Sequence, residues 1–436
     1  MQLIQYSKLT LDQALSAARD TKGLAIGQQI LPQSAKLFQR HFGEQPAVIV
    51  TDKNTYEAAG KTIAKAFEDA DRKLTSPFIF DDEDLFAEHT YVEQLEEFLS
   101  QHRSTPIAVG SGTINDLVKL AAHRMGRKYF CVATAASMDG YTAYGASITY
   151  QGSKQTFDCP APLVVLADLD VIAAAPPAMK AWGYADLLAK ITAGADWILA
   201  DALGIEPIDP LAWSIVQGGL RDAIANPENI RSGDANALGK LVEGLMLSGF
   251  AMQAMRSSRP ASGAEHQFSH LWDMQHHTHQ GYAPSHGEKV GIGTLAVTEL
   301  YERILANAEL PIVPSSIVAR WPSQQAWIES AKQLFADEEL QVVATREIAA
   351  KYIDRETLLK QLEFLHENWR ELRQQLQTQL IPLGTLRSML ATVGAPIESE
   401  QIGISKDRLR RSYREAYFIR RRYTVLDFAT KLGLLE

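Results

Sequence analysis

The chain has 436 residues, 46% hydrophobic and 22% charged, the make-up of a soluble globular protein long enough for two domains. Its net charge of -9 argues against nucleic acid or an anionic membrane surface as the main partner. Two cysteines, Cys131 and Cys159, exclude a disulfide scaffold or a thiolate zinc cluster. With no secretory signal at the start and no run of about eighteen apolar residues, the expected location is the cytoplasm, with no membrane partner.

The first third alternates strand and helix patterns. "PAVIVTD" (46–52) predicts a strand and "TYEAAGKTIAKAFEDA" a helix, then "LTSPFIF" a strand and "DLFAEHTYVEQLEEFLSQH" a helix. "TPIAVGSG" runs into the helical "TINDLVKLAAHRMG", and "KYFCVATAAS" follows as another strand. A hairpin is expected over 146–158 with Gly152-Ser153 at its turn, and "LVVLADLDV" reads as one more strand. Strands and helices in this alternation imply βαβ units around a parallel sheet. From about residue 178 the pattern is helical to the end, and the paired prolines Pro176-Pro177 mark the expected boundary. The expected architecture is an α/β dinucleotide-binding domain (1–176, a Rossmann-like parallel sheet) followed by an all-helical domain (177–436). The basic run "RLRRSYREAYFIRRRYTVLDF" is expected to be a solvated helix face or one paired with acidic neighbours.

Two loops and one cluster carry chemistry. "IAVGSGTINDLVK" (107–119) is a strand, a glycine turn and a helix start. Gly110 and Gly112 let backbone approach a ligand, and the helix from near Thr113 turns its free N–H groups on a pyrophosphate. It is not GxGxxG, and a tight turn without a ligand would look the same. "ATAASMDGYTA" (133–143) offers Thr134 and Ser137 beside Asp139 at the next strand end, where such sheets bind ligands. Asp52, ending "AVIVTD", is placed to meet an adenosine ribose, or is an ordinary strand-end carboxylate.

Six of the eleven histidines fall within residues 265–290. His266 and His270 share a helix face, and His286 opens what reads as a fresh helix. Together with Asp186, taken to sit at the beginning of a long helix, His266 and His286 form a candidate set for a divalent cation. His276, His277 and His279 read as loop residues between the two helices.

The stretches "VGSGTINDLVKLAA", "ATAASMDGYTAYGASI", "LADLDVIAAAP", "GYADLLAKITAGADW", "EHQFSH", "SHGEKVGIGT" and the final "IRRRYTVLDFATKLG" resemble one superfamily, that of iron-containing alcohol dehydrogenase, glycerol dehydrogenase and dehydroquinate synthase. Within it they look most like the sn-glycerol-1-phosphate dehydrogenases. The resemblance implies the dehydroquinate synthase-like fold and Asp186, His266 and His286 as ligands of one Zn, Ni or Fe ion. It implies NAD or NADP against Gly110, Ser111, Gly112, Thr113, Asp116, Thr134 and Ser137. It places Asp139 beside nicotinamide and substrate, with Lys154 facing the same cleft. His270 would relay a proton or hold the substrate, unless it makes only a structural bond to a carbonyl. The implied reaction interconverts sn-glycerol 1-phosphate and dihydroxyacetone phosphate, in phospholipid metabolism, by a homodimer. The alternatives are a glycerol or other polyol dehydrogenase and a dehydroquinate synthase-like lyase. Asn115 and the "GYAD" before the metal aspartate depart from the usual pattern of that superfamily.

Overall fold

The computed structural model describes residues 8–82, 84–151, 153–310 and 312–435. Among these residues eight strands form: β1 Gly23–Gly27, β2 Ala47–Asp52, β3 Leu74–Phe80, β4 Thr105–Gly110, β5 Phe130–Ala133, β6 Ala146–Tyr150, β7 Ser153–Phe157 and β8 Val164–Asp168. Six of them make one sheet in the order β1-β8-β5-β4-β2-β3, and every pairing in it is parallel. A parallel sheet is covered on both faces, so its inner strands are apolar over most of their length. Side chains alternate between two cores. Ile49, Val109, Val132 and Leu166 pack with Phe38, Ile63 and Phe67 on one face. Val48, Ala108, Cys131 and Val165 pack with Val92, Leu95, Leu117 and Ala121 on the other. That second core continues into Leu187, Leu238 and Leu245, so the sheet rests directly on the helices that follow it.

Beyond Asp168 every regular element among the described residues is helical, from Leu169–Ala174 to Val425–Lys431. None of these helices is long and apolar enough to cross a membrane. Both cysteines are buried and free.

Several local expectations change. β1 was not anticipated: it lies at the edge of the sheet beside β8, and only tertiary pairing singles out its five residues. The "LVVLADLDV" strand stops at Asp168, whose carboxylate accepts the Asp170 N–H at 3.0 Å and starts a helix instead. Ser153 pairs with Tyr150, so it belongs to β7 rather than to the hairpin turn; Gly152 lies outside the described residues. The helix expected from Asp84 begins at His89, capped by Glu88.

Candidate active site at the carboxyl edge of the sheet

The order of strands fixes where a ligand can enter. From β2 the chain moves to one side to make β3, then to the other side to make β4 and β5. The crevice at such a reversal lies outside the carboxyl ends of β2 and β4, which end in Asp52 and Gly110. Ser111 precedes the Gly112–Arg124 helix without a side-chain cap, which leaves the first N–H groups at Gly112 and Thr113 to an external acceptor. Thr134 donates its N–H to the Gly110 carbonyl at 3.1 Å and joins the second loop to the first. Ser137 follows in that loop, half-buried beside Tyr141. Asp52, Gly110, Ser111, Gly112, Thr113, Thr134 and Ser137 thus share one edge. Asp116 stands apart, its carboxylate accepting the β6 N–H of Ser147 at 3.2 Å.

The helices bring three donors together behind this edge. Asp186 lies in the last turn of the Pro177–Leu188 helix, not at a helix beginning as the sequence suggested. Pro177 opens that helix early, and Ala189 separates it from the Lys190–Ala202 helix. Gly183 allows the helix to rest on the loop after β5: a Cβ there would stand 2.0 Å from the Ala136 carbonyl oxygen. The contact sets the Asp139 N–H 2.9 Å from Asp186 Oδ2. His266 is in the first turn of the Ala264–Met274 helix, and His286 opens the His286–Leu305 helix behind a Ser285/Glu288 capping box. Gly287 lets that last helix approach the Trp182 carbonyl, which a Cβ would meet at 2.2 Å.

His266 Nε2 lies 3.5 Å and His286 Nε2 4.0 Å from Asp186 Oδ1. One donor atom from each of the three lies within 4.8 Å of the others. Ligands about 2.0–2.1 Å from one tetrahedral ion lie about 3.4 Å apart, so the set closes on a divalent cation with only small rotations. One carboxylate and two imidazoles suit Zn, Ni or Fe and leave a position open.

The electrostatics depend on residues the sequence did not point to. Lys190, fully buried, bridges Asp186 Oδ1 at 2.7 Å and Asp139 Oδ2 at 2.9 Å. Ser248 donates to the same Asp139 oxygen at 2.7 Å. Burial alone would raise the Asp186 carboxyl, but Lys190, His266 and His286 outweigh it and hold it well below the usual range. Glu265 Oε1 faces His266 Nδ1 at 2.7 Å, while Thr192 and the Gly263 N–H hold that carboxylate. Burial pushes the His286 imidazole down to about 3 against the pull of Asp186. Burial, then Arg420, His266 and His286, keep His270 well below the ordinary histidine range. The His270 ring sits 6.4 Å from that of His266.

A spacing of four could have coupled Lys190 to Asp186, and Glu265 adjoins His266 in "EHQFSH"; nothing in the sequence flagged Ser248. Lys154 is exposed on β7, which packs against the Ala264–Met274 helix. His276, His277 and His279 lie in the connecting loop as expected, and His277 is taken up by the Ile402 carbonyl and Arg408.

A parallel sheet with glycine and hydroxyl loops at its switch point, facing a carboxylate and two imidazoles, fits the class of enzymes that pair a dinucleotide with a divalent metal. Residues 25–176 match the family model described as iron-containing alcohol dehydrogenase. The glycerol-1-phosphate dehydrogenase [NAD(P)+] of Geobacillus thermodenitrificans is 29% identical over 98% of this chain and 99% of that protein. The Bacillus subtilis protein of the same name is 30% identical over 92% of this chain and 89% of its own length. Among solved structures, a probable glycerol dehydrogenase from Sinorhizobium meliloti superposes with a TM-score of 0.61 at 16% identity, covering 95% of this chain and 96% of that one; at such identity the likeness shows the fold. The chain belongs to the glycerol-1-phosphate dehydrogenase-like branch of the iron-containing alcohol dehydrogenase superfamily, and is an NAD(P)-dependent oxidoreductase acting on a CH–OH group.

Proposed function

We propose that this enzyme is metal-dependent and interconverts sn-glycerol 1-phosphate and dihydroxyacetone phosphate. The observation that carries the reading is the convergence of Asp186, His266 and His286 on one point, next to Asp139 and to the edge that holds the glycine turn. The names of the relatives support the substrate.

Asp186, His266 and His286 would hold one divalent ion, which supplies Lewis-acid polarisation of the substrate oxygen. The N–H groups from Ser111 to Thr113 would bind the pyrophosphate of NAD or NADP, and Thr134 and Ser137 would line its path. The nicotinamide supplies the hydride acceptor, and its chemistry is its own. Asp139, fixed by Lys190 and Ser248, would position nicotinamide and substrate. His270, kept neutral by burial and by Arg420, would offer a free ring nitrogen to the hydroxyl proton released on oxidation. Asp52 would meet the adenosine ribose, although its carboxylate already caps the turn at Thr55. In this reading Pro176-Pro177 divides the domains and the working unit is a homodimer.

The test is a panel of small ketones and their phosphates with NADH and NADPH after reconstitution with Zn, Ni or Fe. Steady NADH or NADPH consumption with dihydroxyacetone phosphate, absent in His266→Ala, is the expected result. A reconstituted enzyme that turns over other ketones but not this one would overturn the substrate.

A further inference from the structure

The segment Ile419–Tyr423 reads IRRRY and was expected to lie on a solvated or ion-paired face. Only the middle arginine behaves that way: Arg421 is exposed and grips Glu347 in a two-point pair at 2.8 and 2.9 Å. Arg420 and Arg422 turn the other way, half-buried against the loop that leads into the His266 helix. Arg420 donates to Ser262 Oγ at 3.2 Å and Ser258 Oγ at 2.9 Å. Arg422 donates to the Ser262 carbonyl at 2.7 Å and to the same Ser258 hydroxyl at 3.0 Å. Two guanidinium groups therefore stand side by side across one hydroxyl.

Among the described residues neither makes a direct ion pair, and Glu347, Glu265 and Glu206 act on them only from farther off. Glu347 is taken by Arg346 and Arg421, Glu206 lies against Arg259 at 3.3 Å, and Glu265 is held at His266. Burial, then Arg420 and Arg259, hold the Arg422 guanidinium well below the usual arginine range. Neighbouring cations that meet only neutral oxygens are costly until an anion joins them, and the arginine fork matches a phosphate at two points. A cavity of ≈ 410 Å³ opens beside the pair, lined by Arg420, Arg421, Arg422 and Tyr423 and by the already paired Glu206 and Glu347.

Their position links them to the reaction. Ser262 lies just ahead of the Ala264–Met274 helix, four residues before His266. Arg420 is the charged group that acts most on His270, and Lys154 acts on that ring as well. Lys289, by contrast, is occupied by Asp273. Arg420 and Lys154 thus act on the histidine cluster, and Arg420 shares the Ser258 hydroxyl with Arg422.

We propose that Arg420 and Arg422, steadied by Ser258 and Ser262, are the subsite that binds the phosphate monoester of the substrate and makes the enzyme select a phosphorylated over a free polyol. The proposal rests on the reaction put forward above and adds the residues that read its phosphate.

The test compares Arg420→Gln and Arg422→Gln with the parent as metal-reconstituted full-length enzymes. With dihydroxyacetone phosphate, kcat/KM is expected to fall about ten- to a hundredfold, mainly through KM, because a charge-assisted hydrogen bond is lost. With dihydroxyacetone, and for the KM of NADH and NADPH, no change is expected in Arg422→Gln, and Arg420→Lys should recover part of the loss with dihydroxyacetone phosphate. Inorganic phosphate should compete with dihydroxyacetone phosphate and raise the unfolding temperature of the parent but not of the glutamine variants. An equal loss with both ketones in Arg422→Gln, a loss confined to the dinucleotides, or unchanged phosphate stabilisation in both variants would each overturn the assignment. Should the parent reduce neither ketone, the proposed reaction falls, and the phosphate-stabilisation arm still decides for or against the subsite.

Discussion

His266 owes its usable nitrogen to its neighbour in the chain. With Nδ1 held against Glu265, Nε2 is left toward Asp186, the orientation a metal ligand needs. Glu265→Gln keeps the shape and removes the charge. Metal affinity, read by chelator competition, is expected to weaken about ten- to a hundredfold, while the secondary structure of the metal-free protein stays unchanged. Lys190 plays a different part, since without it two buried carboxylates would face each other with no cation between them. Asp139, Asp186 and the histidines stood out as chemistry-bearing residue types, although Asp186 proves to close a helix where the sequence suggested that it opens one. Lys190, Glu265 and Ser248 were not, because a lysine, a glutamate or a serine inside a helix looks the same in sequence whether it faces solvent or a site.

At the scale of elements, the strand-helix alternation was readable because inner strands of a parallel sheet are apolar over most of their length and their helices are amphipathic. Helix joints were harder to see: the helical pattern runs on from about residue 178, yet Ala189 separates the Pro177–Leu188 and Lys190–Ala202 helices and Asp337 caps the start of the Glu338–Lys351 helix. The Glu338–Lys351 helix is stapled to the chain after the Lys406–Phe418 helix by Glu347. Hydrogen bonding and charge from Arg421, together with Arg346, hold that carboxyl at about 2. A depressed carboxyl stabilises the fold above its ordinary range, and the contribution disappears as pH falls through about 2. Glu347→Gln is therefore expected to lower stability near pH 7 by about 1 kcal/mol, discounted for the exposed arginines. Denaturant titrations of the two proteins should converge as pH drops from about 4.5 toward 2.

For the molecule as a whole, the three candidate ligands come from three helices and the loop after β5 closes on them, so an ion bound there ties together segments far apart in sequence. A ligand that binds only the folded state stabilises it by about 2.7 kcal/mol at a hundred times its dissociation constant. Prolonged chelation is expected to lower the unfolding temperature and added Zn to restore it. His286→Ala should show neither shift, and an equal response in that variant would place the ion elsewhere.

By itself the sequence determined the strand and helix periodicities, the two glycine- and hydroxyl-bearing loops and the residue types able to hold a metal, because these are local patterns of polarity and backbone freedom. Tertiary structure alone decided that β1 pairs with β8, that Lys190 joins Asp139 to Asp186, and that Arg420 and Arg422 share a serine. β1 and β8, Lys190 and Asp139, and the arginines and Ser258 are far apart in the chain, so their meeting is set by tertiary packing and no local pattern encodes it.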